Sequence, residues 1–206
     1  KLLGHAKDPI CSNLALNRIL PEDYWKEKDG EVLCLGAGGA AISILYNLNR
    51  QRQQGNHPSK IFVTDIRKSR LESIQKIYRK FDTNIPIELH QCSEIKNNDE
   101  LTTNLKPHSL IINATGLGKD KPGSPFTWDV QYPQNSIVWE LNYRGELIFL
   151  DQAESQRNKK NLTIHDGWIY FIHGWLEVIA EVFQIEIKNS GDYFENLSEI
   201  AWSIRK

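Results

Sequence analysis

The chain has 206 residues, 40% of them hydrophobic and 25% charged, the composition of a globular protein with one large domain or one domain with appended helices. Its 25 basic and 26 acidic residues leave a net charge of −1, so nothing electrostatic points to nucleic acid or an anionic membrane as partner. No apolar run reaches the ~18 residues needed to span a bilayer and no signal peptide opens the chain, so a cytoplasmic location is expected. Cys11, Cys34 and Cys92 have no Cys-x-x-Cys spacing, which argues against a disulfide framework and against a zinc site. The chain starts at Lys1 and holds no Met, where usage of about two per hundred residues is ordinary. It is read as a fragment, or as a chain from which some residues are missing.

Taken in chain order, a short extended start precedes a helix over 12–20, which Pro21 ends. Asp29-Gly30 marks a turn, and 31–35 is an apolar run of buried-strand type. Glycines follow, and 40–50 reads as a helix. A polar loop, 51–59, leads to a strand at 60–65. Leu71, Ile74, Ile77, Tyr78 and Phe81 give 69–81 helical spacing. Residues 85–90 are a third strand, 97–105 a short polar helix or loop, 109–114 and 137–141 strong buried strands, and 163–164 a last short one. An aromatic-rich helix covers 168–183 and an amphipathic helix 192–204. Strands alternating with helices predict an α/β fold with a parallel sheet covered on both faces.

The glycine loop Gly36-Ala37-Gly38-Gly39-Ala40-Ala41 follows a strand and opens a helix. Gly36 allows the tight turn, Gly38 lets backbone approach a pyrophosphate, and Gly39 keeps the helix opening bare; Ala41 stands in the third glycine position. Asp65 lies 26 residues after Gly39, where a carboxylate accepts bonds from ribose hydroxyls and repels a 2′-phosphate. That favours NAD over NADP, against the nearby Arg67, Lys68 and Arg70. At the end of the 109–114 strand, Asn113, Ala114, Thr115 and Gly116 offer close backbone approach and polar groups to a nicotinamide ribose. Ile66, Arg67 and Leu141 complete the expected cofactor set.

These motifs together resemble the shikimate/quinate dehydrogenase family over roughly residues 1–185. Residues 32–41 resemble its nucleotide loop, and 112–118 its Asn-Ala-Thr strand end. Residues 138–145 sit where it has Asp-x-x-Tyr-x-Pro, the helix after Asp166-Gly167 is similar to its Gly-x-x-Met-Leu-x-x-Gln helix, and 1–8 resemble the segment entering the nucleotide domain. The resemblance implies a Rossmann-like doubly wound sheet with C-terminal helices, and a nicotinamide-dependent oxidoreductase acting on the hydroxyl-bearing carbon of a cyclic or small hydroxy acid. It implies three parts: 1–30 joining a substrate domain outside this sequence, 31–165 binding the dinucleotide, and 166–206 packing back toward the substrate domain. Asp8 matches the Asp that handles the hydroxyl proton with a Lys of that domain. His173 lies at or beside the substrate-binding Gln. A homodimer is one assembly open to the chain, and the sequence does not identify the oligomeric state.

The chain also departs from the pattern. His5-Ala6-Lys7-Asp8-Pro9 lacks the usual Asn and Thr, residues 142–145 lack the Pro, and the loop 119–125 is unusually charged. These departures imply an altered substrate choice. Lys119 and Arg144 are candidates for a carboxylate or ordinary solvated charges. Two alternatives stand: a nucleotide-binding sensor that kept the fold without catalysis, or another nicotinamide enzyme such as a methylenetetrahydrofolate dehydrogenase.

Overall fold

Short apolar runs bounded by turns make strands that are buried on both faces. In the computed structural model, which describes residues 4–51 and 55–204, six strands form one sheet, buried in its middle and partly exposed at its two edges. They are β1 (Val32–Leu35), β2 (Ile61–Asp65), β3 (Ile87–Gln91), β4 (Leu110–Asn113), β5 (Ile137–Glu140) and β6 (Thr163–His165). Every pairing is parallel, in the order β3-β2-β1-β4-β5-β6. The order reverses between β1 and β4, and a crevice at such a switch point is where open α/β sheets bind ligands. Leu35 pairs with Thr64 on one side and Asn113 on the other, so these three strands end level. The expected Rossmann-like fold is therefore present.

Side-chain alternation divides the core in two. Val32, Cys34, Ile61, Val63, Leu110 and Ile112 face α3 (Gly39–Gln51), α4 (Lys68–Tyr78) and α1 (Asp8–Ile19). Leu33, Leu35, Ile111 and Val138 face the other way, onto Phe149 and Ala153 of α6 (Ile148–Glu154) and onto Phe126, Val130 and Tyr132 of a loop. A third cluster joins Trp168, Ile172 and Leu176 of α8 (Trp168–Phe183) to Phe194 of α9 (Gly191–Ser203).

The structure moves several expected boundaries. The first helix starts at Asp8, four residues before the expected Ser12. Pro9 suits a first helical turn and Asp8 its positive end. The Ser12 hydroxyl donates to the Asp8 carbonyl at 2.7 Å within the helix. The third strand runs Ile87–Gln91 rather than 85–90, and the polar 97–105 segment is a helix, α5 (Ile95–Thr103). Three short helices were not expected: α2 (Tyr24–Glu27), α6 and α7 (Arg157–Lys160). Each has seven residues or fewer, too few for a 3.6-residue period to show. Between β4 and β5 the chain runs from 114 to 136 without a helix. Loops of that length inside a compact fold usually carry function.

Candidate functional site

At the switch point, Gly36 turns the chain out of β1 with φ +100°, in the region that favours glycine. A Cβ there would stand 2.6 Å from the Ala114 carbonyl oxygen, so the ends of β1 and β4 meet backbone to backbone. Its N–H donates to the Thr64 carbonyl at 2.8 Å. The glycine loop then enters α3 with no acidic residue in its own first turn, so nothing within the helix neutralises its positive end. Asp65 ties this loop to β2: Oδ2 accepts from the Ala37 N–H at 2.9 Å and Oδ1 from the Arg67 N–H at 2.8 Å. The Arg67 Nε lies 3.8 Å from Oδ1. Arg70 reaches back over the loop, its Nη1 3.3 Å from where a Gly38 Cβ would lie.

A cleft of about 300 Å³ opens here. Gly36, Asp65, Ile66, Arg67, Ala114 and Thr115 line it, as expected of cofactor-binding positions. Arg70 and Lys121 add two more positive charges to its wall. Cys92, Ser93 and Asn98, which no motif singled out, close the side after β3. Only their place after a parallel strand could have identified them. Gly116, at φ +78°, turns the chain beyond Thr115. Ala40 lies in the first turn of α3.

Asn113 does not face this cleft. It is fully buried and its amide is spent inside the protein. Nδ2 donates to Glu140 Oε2 at 2.6 Å, and Oδ1 accepts from the Thr115 N–H at 3.1 Å and from the Thr115 hydroxyl at 2.7 Å. Its expected contact with a ligand is corrected to an indirect one: it fixes Thr115. Glu140 Oε1 accepts from the Asn142 N–H at 2.8 Å, and Asn142 Nδ2 donates to the Leu117 carbonyl at 2.9 Å. This network links the ends of β4 and β5 and closes on the β4–β5 loop. Burial pushes the Glu140 carboxyl up to about 7, against the bonds from Asn142 and Asn113, which favour its ionised form.

A second cleft, of about 330 Å³, lies beside the first turns of α1 and α8. Asp8 lines it, as does Leu141, which therefore lies in this cleft and not in the glycine-loop one. The Tyr170 hydroxyl donates to Asp8 Oδ1 at 3.3 Å, and Asp8 Oδ2 is 3.8 Å from where a Gly39 Cβ would lie. Asp8 thus bridges the start of α3 and the second cleft. Burial, then the Asp8 charge, raise the Tyr170 phenol above its ordinary range, so it stays a donor. The Tyr170 ring meets Trp139 edge to face at 5.9 Å. Tyr143 stacks on Phe171 at 3.8 Å, and Trp175 and Lys119 complete the wall.

His173 is not in this cleft. It is 1% exposed, on the side of α8 that faces α9, stacked on Phe194 at 4.3 Å, with Nδ1 2.7 Å from Asn189 Oδ1. Burial lowers its pKa, so the neutral ring is the stable form. Its expected substrate contact is corrected by helical spacing: Gly174, one residue on, lines the cleft. Counting Gly-x-x-Met-Leu-x-x-Gln from Gly167 puts the Gln position on Gly174. A Cβ on Gly174 would stand 3.9 Å from the Cys11 Sγ, in ordinary contact.

The chain is similar to a shikimate dehydrogenase (NADP(+)) of Streptococcus thermophilus, 28% identical over 162 residues, covering 76% of this chain and 50% of that protein. A shikimate dehydrogenase (NADP(+)) of Caldicellulosiruptor bescii is 25% identical over 198 residues, 94% of this chain and 60% of that protein. Among solved structures, a quinate dehydrogenase from Corynebacterium glutamicum in complex with NAD superposes with a TM-score of 0.69 at 18% identity, covering 98% of this chain and 63% of that one. A shikimate 5-dehydrogenase from Thermus thermophilus in complex with shikimate gives 0.59 at 16% identity, over 96% and 62%. No family model matches the chain. The chain spans about half the length of the first curated relative and 60% of the second. Over the nucleotide-binding part of these proteins, the resemblance to the shikimate/quinate dehydrogenases holds.

Proposed function

We propose that this chain is the coenzyme-binding part of a shikimate/quinate dehydrogenase-like oxidoreductase acting on a cyclic or small hydroxy acid in the cytoplasm. The observation that carries the reading is the position of Asp8. One of its carboxylate oxygens approaches the helix that opens from the glycine loop, and the other is bonded to Tyr170 in the neighbouring cleft. A carboxylate so placed borders both the coenzyme site and a space of substrate size. The similarity to curated shikimate dehydrogenases favours this reading over a folate enzyme or a sensor.

The residues at the glycine loop fit a dinucleotide. Bare backbone at Gly38 and Gly39 and the open start of α3 receive a pyrophosphate. Ala114, Thr115 and Gly116 border the nicotinamide side. When bound, the nicotinamide supplies or accepts the hydride. Asp8 holds or releases the hydroxyl proton at its carboxylate, together with a Lys from a substrate domain outside these residues. Residues 1–30 join that domain to the coenzyme part at 31–165, and 166–206 pack back toward it. The aromatic wall of Tyr143, Phe171 and Trp175 keeps water from the reacting carbon.

NAD is the preferred coenzyme in this reading, because the Asp65 carboxylate at the end of β2 repels a 2′-phosphate. A specific observation favours NADP as a second reading: Arg67, Arg70 and Lys121 line the same cleft. Measured affinities for NADH and NADPH separate them, the tighter binder naming the coenzyme. Activity is tested by incubating the protein with NAD or NADP and shikimate or quinate, and following reduced nicotinamide. Asp8→Asn is expected to lower kcat by about 10²–10⁴-fold while coenzyme affinity is unchanged. Coenzyme binding with no turnover of any hydroxy acid, measured with the substrate domain and its Lys present, would support the sensor instead.

A further inference from the structure

Two residues of the β4–β5 loop, Lys119 and Lys121, share a short stretch yet serve different clefts. Lys121 lines the glycine-loop cleft beside Arg67 and Arg70, and Lys119 lines the Asp8 cleft. We infer that Lys119 binds the carboxylate of the hydroxy acid, so that the coenzyme part itself selects an anionic substrate. This rests on the reading of the Asp8 cleft as the substrate site.

The loop is held in place by packing and bonds that leave it little freedom. A Cβ on Gly145 would stand 2.0 Å from the Gly118 carbonyl oxygen, so the loop after β5 lies directly on the β4–β5 loop. The Glu146 N–H donates to that oxygen at 2.8 Å, the Gly118 N–H to the Lys121 carbonyl at 2.7 Å, and Asn142 to the Leu117 carbonyl at 2.9 Å. Lys119 therefore starts from a fixed backbone. Its side chain is 26% exposed and its ammonium lies 5.9 Å over the Tyr143 ring.

The other charges of the cleft are already engaged. Lys7 is paired with Glu181, whose other oxygen is 2.7 Å from His5. Asp8 accepts from Tyr170, and among the described residues no ion pair joins Asp8 to Lys119. Among the described residues Lys119 is paired only with Asp120 of its own loop, at 3.4 Å, and Asp120 is 65% exposed. A solvated partner is readily exchanged for a carboxylate brought into an aromatic-walled cleft, where a charge-assisted bond is stronger than in water. The stacked Tyr143–Phe171 pair gives the ring of such an acid a flat surface, and Gly174 adds bare backbone to the same wall.

The test is a cycle between protein charge and ligand charge. Shikimate and quinate are compared with their methyl esters, as KM and kcat in turnover and as Kd by calorimetry on the coenzyme-saturated protein. The wild type is expected to prefer each acid over its ester about tenfold through KM or Kd. Lys119→Met should abolish that preference without changing ester binding or coenzyme affinity, and Lys119→Arg should restore it. Equal acid-to-ester ratios in the wild type and Lys119→Met would overturn the inference while leaving the dehydrogenase reading intact. Weakened NADH or NADPH binding in Lys119→Met would assign the ammonium to a coenzyme phosphate and overturn it too, as would absence of binding by either acid. With the substrate domain present, an intact binding cycle without turnover would sink the reaction and keep the role of Lys119.

Discussion

Gly36 shows how much one hydrogen atom in place of a methyl group decides. Its positive φ and the 2.6 Å approach of the Ala114 carbonyl act together, so an added Cβ meets both backbone strain and a neighbour that cannot yield. Gly36→Ala is expected to cost about 3 kcal/mol in urea unfolding, combining the usual cost of a forced left-handed residue with overpacking. At Glu140 the effect is one of pH. The folded carboxyl titrates at about 7 against an ordinary 4.5. Below the lower value both states are protonated. Between the two, the unfolded chain releases a proton that the folded chain keeps, so stability falls as pH rises, by about 3 kcal/mol at most once the pH exceeds the folded value. Burial of His165 and His173 lowers their pKa values and works in the opposite direction. The Glu140 contribution is therefore read as a difference. Thermal midpoints of the wild type should fall relative to Glu140→Gln between pH 5 and pH 8; parallel curves would refute it. Neither Glu140 nor Asn113 declares this role in the sequence, because a buried network depends on which strands end level, and only the register shows that.

At the scale of elements, α1 is the one whose position matters most, since Asp8 stands in its first turn. Asn47 of α3 anchors it: Nδ2 donates to the Pro9 carbonyl and to the Ser12 hydroxyl, each at 2.8 Å. Asn47→Ala strands both acceptors and should cost about 1–3 kcal/mol, measured by denaturant unfolding. If Asp8 is held by this tie, kcat falls as well while coenzyme affinity stays. Elements with long, one-sided apolar patterns were legible in the sequence. The aromatic helix 168–183 was placed to the residue, and β1, the glycine loop and α3 nearly so. The start of α1 was set four residues late, because 8–11 carry no run of apolar residues at helical spacing ahead of Ser12. His173 misled by one position, because a resemblance to a motif locates a helix better than it locates a helical face.

Across the whole molecule, strand alternation with helices was enough to predict a parallel sheet covered on both faces, and strand order then placed the crevice between β1 and β4. The cleft that Asp8 lines was not legible, because it is made by a loop without regular structure and by helices distant in sequence. The account as a whole depends on a diphosphate bound at the open start of α3. Calorimetric titration of the protein with NADH and with NADPH tests that directly. The account predicts one saturable site per chain for at least one of the two, weakened about tenfold or more by Gly38→Val, since each factor of ten is about 1.4 kcal/mol of lost contact. No saturable binding of either coenzyme, or equal binding by Gly38→Val, would contradict it.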